Sequence, residues 1–165
     1  MFLLRVVHIF SGIIWVGFGF FQLGVVGPAV RSFGSEGTKF RLALSQKGRY
    51  DQLIAAAALL TTLSGLTLYY LTSGNLNPAV VFAPARLGLN VGALVGVAAF
   101  LHGFFSIGRK SARLQALVGQ MQATGGPPQP AQLAEARALG TQIERGGRVS
   151  AILMVTAVIG MASVG

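Results

Sequence analysis

Four stretches of roughly twenty mostly apolar residues, at 3–28, 51–73, 86–108 and 147–164, constrain this chain more than anything else in it. As a helix rising about 1.5 Å per residue, each is long enough to cross the ~30 Å hydrocarbon core of a bilayer. Only 10% of the residues are charged, against roughly 25% in a soluble domain, so there is too little charge to keep four such surfaces in water. The pattern predicts an all-α fold: a four-transmembrane-helix bundle, forming a single integral membrane domain over residues 1–165. The first run is longer than the roughly 7–15 apolar residues of a signal peptide and shows no small-residue cleavage site, so it is expected to be retained.

Charge sets the expected topology. Arg31, Lys39, Arg41, Lys47 and Arg49 lie between the first two runs, and Arg109, Lys110, Arg113, Arg137, Arg145 and Arg148 between the last two; the other side carries only Arg5 and Arg86. The positive-inside rule then puts both basic loops in the cytoplasm and both termini outside, in a bacterial inner membrane. The net charge of +9 is accounted for by topology and lipid headgroups, so the expected partner is the bilayer and not nucleic acid. With no cysteine, disulfides, thiolate ligands and iron–sulfur clusters are excluded.

The connections are legible too. In the first basic loop Ser35 is a predicted N-cap with Glu36 in the first helical turn, and Gly48 a predicted break. The 74–85 connection holds turn residues and two prolines, too short for a domain. Residues 111–123 place Leu114, Leu117, Val118 and Met121 at helical spacing; TGGPPQP at 124–130 ends that helix; Leu133, Ala136, Leu139 and Ile143 resume the spacing. Helices three and four are therefore expected to extend into a cytoplasmic helical hairpin over 109–146, whose apolar faces pack on each other or, over 111–145, dock a membrane-protein partner. Gly88, Gly92 and Gly96 form two GxxxG steps that favour close helix approach, within the chain or to a partner; Thr61, Ser64 and Gly65 do similar work on the second span.

Machinery for acid–base catalysis is nearly missing. Glu36, Asp51, Glu135 and Glu144, the four acids, all lie at or beyond the membrane boundary, which disfavours a proton-coupled transporter. No HExxH, phosphate loop or serine with a neighbouring base is present. The first run instead carries His8, Gly12, Trp15 and Gly19, which fall within about a 60° sector of a helix. His8 sits about 8 Å below the outer end, at a depth similar to that of Asn90, Arg86 and the Tyr69–Tyr70 pair. An imidazole there can act as an axial metal ligand to haem b, with Arg5 and Arg86 near the propionates. Alternatively, His8 is satisfied by Asn90, a tyrosine or a backbone carbonyl. His102 lies near the cytoplasmic end of the third run, roughly 15–20 Å away along the membrane normal, so a bis-histidine site is excluded and His102 is read as interfacial. Trp15 needs a partner for its N–H, and Thr61 or Thr62 lies at matching depth. Met154 and Met161 alone are weak evidence for copper.

His8, Gly12, Trp15, Gly17 and Gly27–Pro28 together spell HxxxGxxWxG…GP. This resembles the first helix of small bacterial four-helix membrane proteins of the copper-resistance-D type and their uncharacterised relatives, and more distantly the membrane-type protoporphyrinogen oxidase. The likeness to the uncharacterised relatives extends to LTTLSGLTLYY at 60–70, the GGPP turn and GRVSAILMVTAVIGMA at 147–162. The resemblance implies a four-helix bundle in which His8 matches a haem-associated histidine. The oxidase pattern also carries a functional lysine near the start of its third helix; here that region is RLGLNVG, 86–92, with Arg86 and no lysine, which speaks against porphyrinogen oxidation. Two functions are thus expected: haem binding or membrane redox chemistry through His8, or a non-catalytic accessory subunit of a larger membrane complex.

Overall fold

A computed structural model describes residues 1–34, 36–37, 40 and 49–163, and every regular element among them is helical. Four helices are long and apolar enough to cross a membrane: α1 (Phe2–Ser32), α2 (Tyr50–Thr72), α3 (Pro84–Ala123) and α4 (Pro130–Ala162). Most of each predicted run falls inside one of them. Ser35 and Gly48, the predicted cap and break, lie outside the described residues.

What ends each helix is local chemistry. After α2, Gly74, Asn75 and Leu76 all take positive φ and turn the chain; the Asn77 side chain then accepts from the Ala79 N–H at 3.0 Å and caps the single turn Pro78–Val81. After α3, Gly125 adopts a φ of 66°, and α4 opens on Pro130 behind a reciprocal Gln129–Gln132 capping box. Two π-helical turns, Gln22–Val26 in α1 and Gly103–Gly108 in α3, shift the face that each helix presents beyond them.

Burial runs opposite to that of a soluble protein. The buried apolar positions are mostly small, among them Ala57, Ala58, Ala99, Ala151 and Ala157, joined by Ser11, Ser64 and Ser150, while Phe10, Ile13, Leu94, Ile152 and Ile159 are each more than 60% exposed. Large side chains outside and small ones between helices is the arrangement expected where the solvent is lipid and association depends on close backbone packing.

The glycines show how close that packing is. A Cβ on Gly92 would lie 2.7 Å from Met161 N and 2.8 Å from Ala157 O, and one on Gly160 would lie 2.8 Å from Gly88 O. The Gly88–Gly92–Gly96 stripe, open in the sequence reading to a partner protein, is therefore filled by α4 of the same chain. Along α1, Gly12 faces the Thr61 methyl on α2 and Gly19 faces the Met154 Cε on α4. At the far ends of α3 and α4, Leu117 and Ile143 are buried, and Arg113 pairs with Glu135 at 2.7 Å.

Candidate functional site

His8 sits on α1 where α2 offers only small residues. Its Nδ1 is 2.9 Å from the Thr61 carbonyl oxygen and 3.3 Å from Ser64 Oγ. A carbonyl can only accept, so Nδ1 carries the proton. Ser64 donates its own hydroxyl hydrogen to the Leu60 carbonyl at 2.5 Å, which leaves Ser64 Oγ an acceptor toward His8. Room for the ring comes from Gly65, where a Cβ would stand 2.8 Å from His8 Cε1. One turn along, the Thr61 hydroxyl donates to Ser11 Oγ at 2.9 Å, and Ser11 donates to the Val7 carbonyl at 2.6 Å.

With Nδ1 protonated in the neutral ring, Nε2 holds the lone pair. Among the described residues Nε2 has no hydrogen-bond partner, and no buried side-chain nitrogen or oxygen lacks one; Nε2 is therefore at an accessible surface. An imidazole anchored through Nδ1–H to a carbonyl, with its Nε2 lone pair unbonded among the described residues, is the donor arrangement typical of metal-ligating histidines. No three His, Cys, Asp or Glu residues that could hold a metal ion converge among the described residues. Two hollows, one of about 430 Å³ between the end of α1 and residues 33, 36, 37 and 40 and one of about 350 Å³ along Ile13–Phe21 of α1, do not include His8.

The polar residues expected to join His8 form a separate cluster. Asn90 Oδ1 accepts from Tyr69 OH at 2.8 Å, and Asn90 Nδ2 donates to the Val81 carbonyl at 2.8 Å, so Asn90 ties α2, α3 and the intervening turn together. Arg86 donates to the Thr72 carbonyl at 2.6 Å and to the Thr72 hydroxyl at 3.0 Å, closing the C-terminus of α2, with its guanidinium 5.8 Å from the Tyr69 ring centre. Both residues hold structure, and neither shares a hydrogen-bond partner with His8. Arg5 is exposed and has no side-chain partner among the described residues. Gly12 is occupied by Thr61. Among the described residues no hydrogen bond joins Trp15 to Thr61 or Thr62, the partners expected for it: the Thr61 hydroxyl lies 2.9 Å from Ser11 Oγ and 2.8 Å from the Ala57 carbonyl, and Thr62 donates to the Ala58 carbonyl.

His102, expected at the interface, packs on α4: its Nδ1 lies 3.0 Å from the buried Ser150 Oγ. The two histidines thus share no partner. Ser64 and Gly65 are legible in the sequence as packing residues, and Thr61 as one of those or a partner for Trp15; their spacing gives no hint that they hold an imidazole. Comparison with protein-family models, curated proteins and solved structures finds no match for this chain.

Proposed function

We propose that the chain is a multi-pass protein of the bacterial inner membrane that holds haem b through His8 and serves membrane redox chemistry. In this reading the four helices form one transmembrane bundle with both termini outside, and the 109–146 extension of α3 and α4 is a cytoplasmic hairpin. The observation that carries it is the His8 ring, tied by Nδ1–H to the Thr61 carbonyl with Nε2 accessible. The more distant resemblance to the membrane-type protoporphyrinogen oxidase, in which His8 matches a haem-associated histidine, lends support.

Bound haem would supply a one-electron couple at its iron; everything else is done by this chain. Thr61 keeps the proton on Nδ1, fixes the ring plane and makes Nε2 the stronger donor. Ser64 shares the same N–H, and Gly65 leaves space for the ring. Arg5 is the cation left to meet propionates, while Gly12 and Trp15 continue the His8 face along α1.

Absorption spectra of wild type and His8→Ala, purified from haem-replete cells, test this. The expected result is a Soret band in wild type that His8→Ala loses; no band in wild type, or a band unchanged by His8→Ala, refutes it. A second reading, a non-catalytic accessory subunit, is favoured by the complete pairing of buried side-chain polar atoms among the described residues, since groups engaged in structure are unavailable for chemistry. Its mark is a colourless protein that co-purifies with a larger complex and loses it when 111–145 is removed.

A further inference from the structure

Where α1 and α4 leave their apolar stretches, two arginines converge on one carboxylate oxygen. Glu144 Oε1 is 3.1 Å from Arg31 Nη1 and 2.7 Å from Arg148 Nη2. Both arginine side chains stay open, at 56% and 69% exposure, while Glu144 is 33% exposed. One turn from Arg148 on the same face of α4 stands Arg145, exposed and without an ion-pair partner among the described residues. Two guanidiniums thus meet one carboxylate, and a third stands beside them unpaired among the described residues, a local surplus of positive charge.

The same helix face continues as apolar surface. Positions 145, 148, 152, 155 and 159 follow the three–four spacing of one helical stripe; Ile152, Val155 and Ile159 are 67%, 40% and 64% exposed. Arg31 lies just beyond the predicted end of the first apolar run and Arg148 at the start of the fourth. Guanidinium groups therefore mark the headgroup level on two helices, with an acyl-length apolar strip directly beneath.

We infer that this face is a binding site for an anionic phospholipid. The headgroup phosphate is held by Arg145, Arg148 and Arg31, and an acyl chain lies along Ile152, Val155 and Ile159. Guanidinium forks suit phosphate oxygens, and a zwitterionic lipid would bring its own ammonium to a place already short of negative charge. Glu144 holds two of the arginines in place and limits the affinity by neutralising part of their charge. The inference rests on the membrane-spanning reading of α1 and α4 and is independent of His8.

The test uses the full chain in phosphatidylcholine nanodiscs doped with phosphatidylglycerol, with lipid retained after detergent extraction counted by mass spectrometry. Each guanidinium near a membrane surface is worth about a fivefold preference for anionic lipid. Wild type is expected to retain phosphatidylglycerol over phosphatidylcholine, R145Q/R148Q to lose most of that preference, and Glu144→Gln to raise it. Arg137→Gln, about 12 Å further along α4 from Arg145, is expected to leave it unchanged. If R145Q/R148Q lowers helix content by circular dichroism, Arg145→Gln alone is read, since it breaks no ion pair. Equal retention of both lipids by wild type, unchanged retention in the arginine variants, or an equal loss in Arg137→Gln overturns the site. Displacement by inorganic phosphate at matched concentration overturns the lipid and leaves a simple anion site. The absorption spectrum, recorded alongside, reports on His8 separately.

Discussion

Replacing Gly92 by alanine probes the closest seam in the structure. The added Cβ would stand 2.7 Å from Met161 N, 2.8 Å from Ala157 O and 3.0 Å from Gly160 C. All three are backbone atoms, so no side chain can swing aside. Restoring a contact near 3.4 Å requires α3 and α4 to part by about 0.7 Å. A gap of that size forfeits roughly a quarter to a half of each dispersion contact along the seam, and about thirty atom pairs at ~0.15 kcal/mol each make that a loss of about 1–2 kcal/mol. Residual overpacking raises the loss to about 2–3 kcal/mol, and the better helix propensity of alanine returns about 1 kcal/mol. The expected net destabilisation of Gly92→Ala is about 1–2 kcal/mol. Gly119→Ala is the control: a Cβ there meets nothing within 4 Å, so only the propensity gain applies, up to about 1 kcal/mol. Reversible unfolding of the detergent-solubilised chain by increasing SDS, followed by circular dichroism, measures both. Opposite signs are expected; a Gly92→Ala variant as stable as Gly119→Ala would refute the packing of α3 on α4.

Gly65→Ala puts a methyl 2.8 Å from His8 Cε1 and 3.1 Å from Nδ1, so the ring should leave the Thr61 carbonyl; ¹⁵N NMR of the imidazole is expected to lose its fixed Nδ1–H tautomer, and an unchanged spectrum counts against the arrangement. Asn90→Leu strands Tyr69 OH and the Val81 carbonyl, with an expected cost of about 1–3 kcal/mol and faster amide exchange across residues 78–82. Ser150→Ala removes the partner of His102 Nδ1; a loss of about 1 kcal/mol is expected in the same SDS titration, with no change in the His8 resonances because the histidines share no partner.

Much was legible in advance because hydrophobic length and helix punctuation are local properties. The apolar runs, the TGGPPQP break and the helical spacing of Leu117 and Ile143 each depend on a few neighbouring residues, and they fall where the spacing predicts. The site was less legible. Of the partners considered for His8, the sequence offered Asn90, a tyrosine or a carbonyl without preference, and packing selects the Thr61 carbonyl. Asn90 and Arg86, expected at the depth of His8, bond to Tyr69, Val81 and Thr72: hydropathy speaks to position along a helix and leaves rotation about its axis open.

The sequence by itself determined that this chain makes four apolar helices with two basic connections, because bilayer-length hydrophobicity and the obligation of every backbone N–H to find a partner admit little else. Only the tertiary structure decided which faces meet. It directed Gly88, Gly92 and Gly96 to α4, set His8 against Gly65, and brought Arg31 and Arg148 onto one carboxylate. Those choices depend on sub-ångström fit between helices far apart in the chain, and no pattern read along a single helix contains that information.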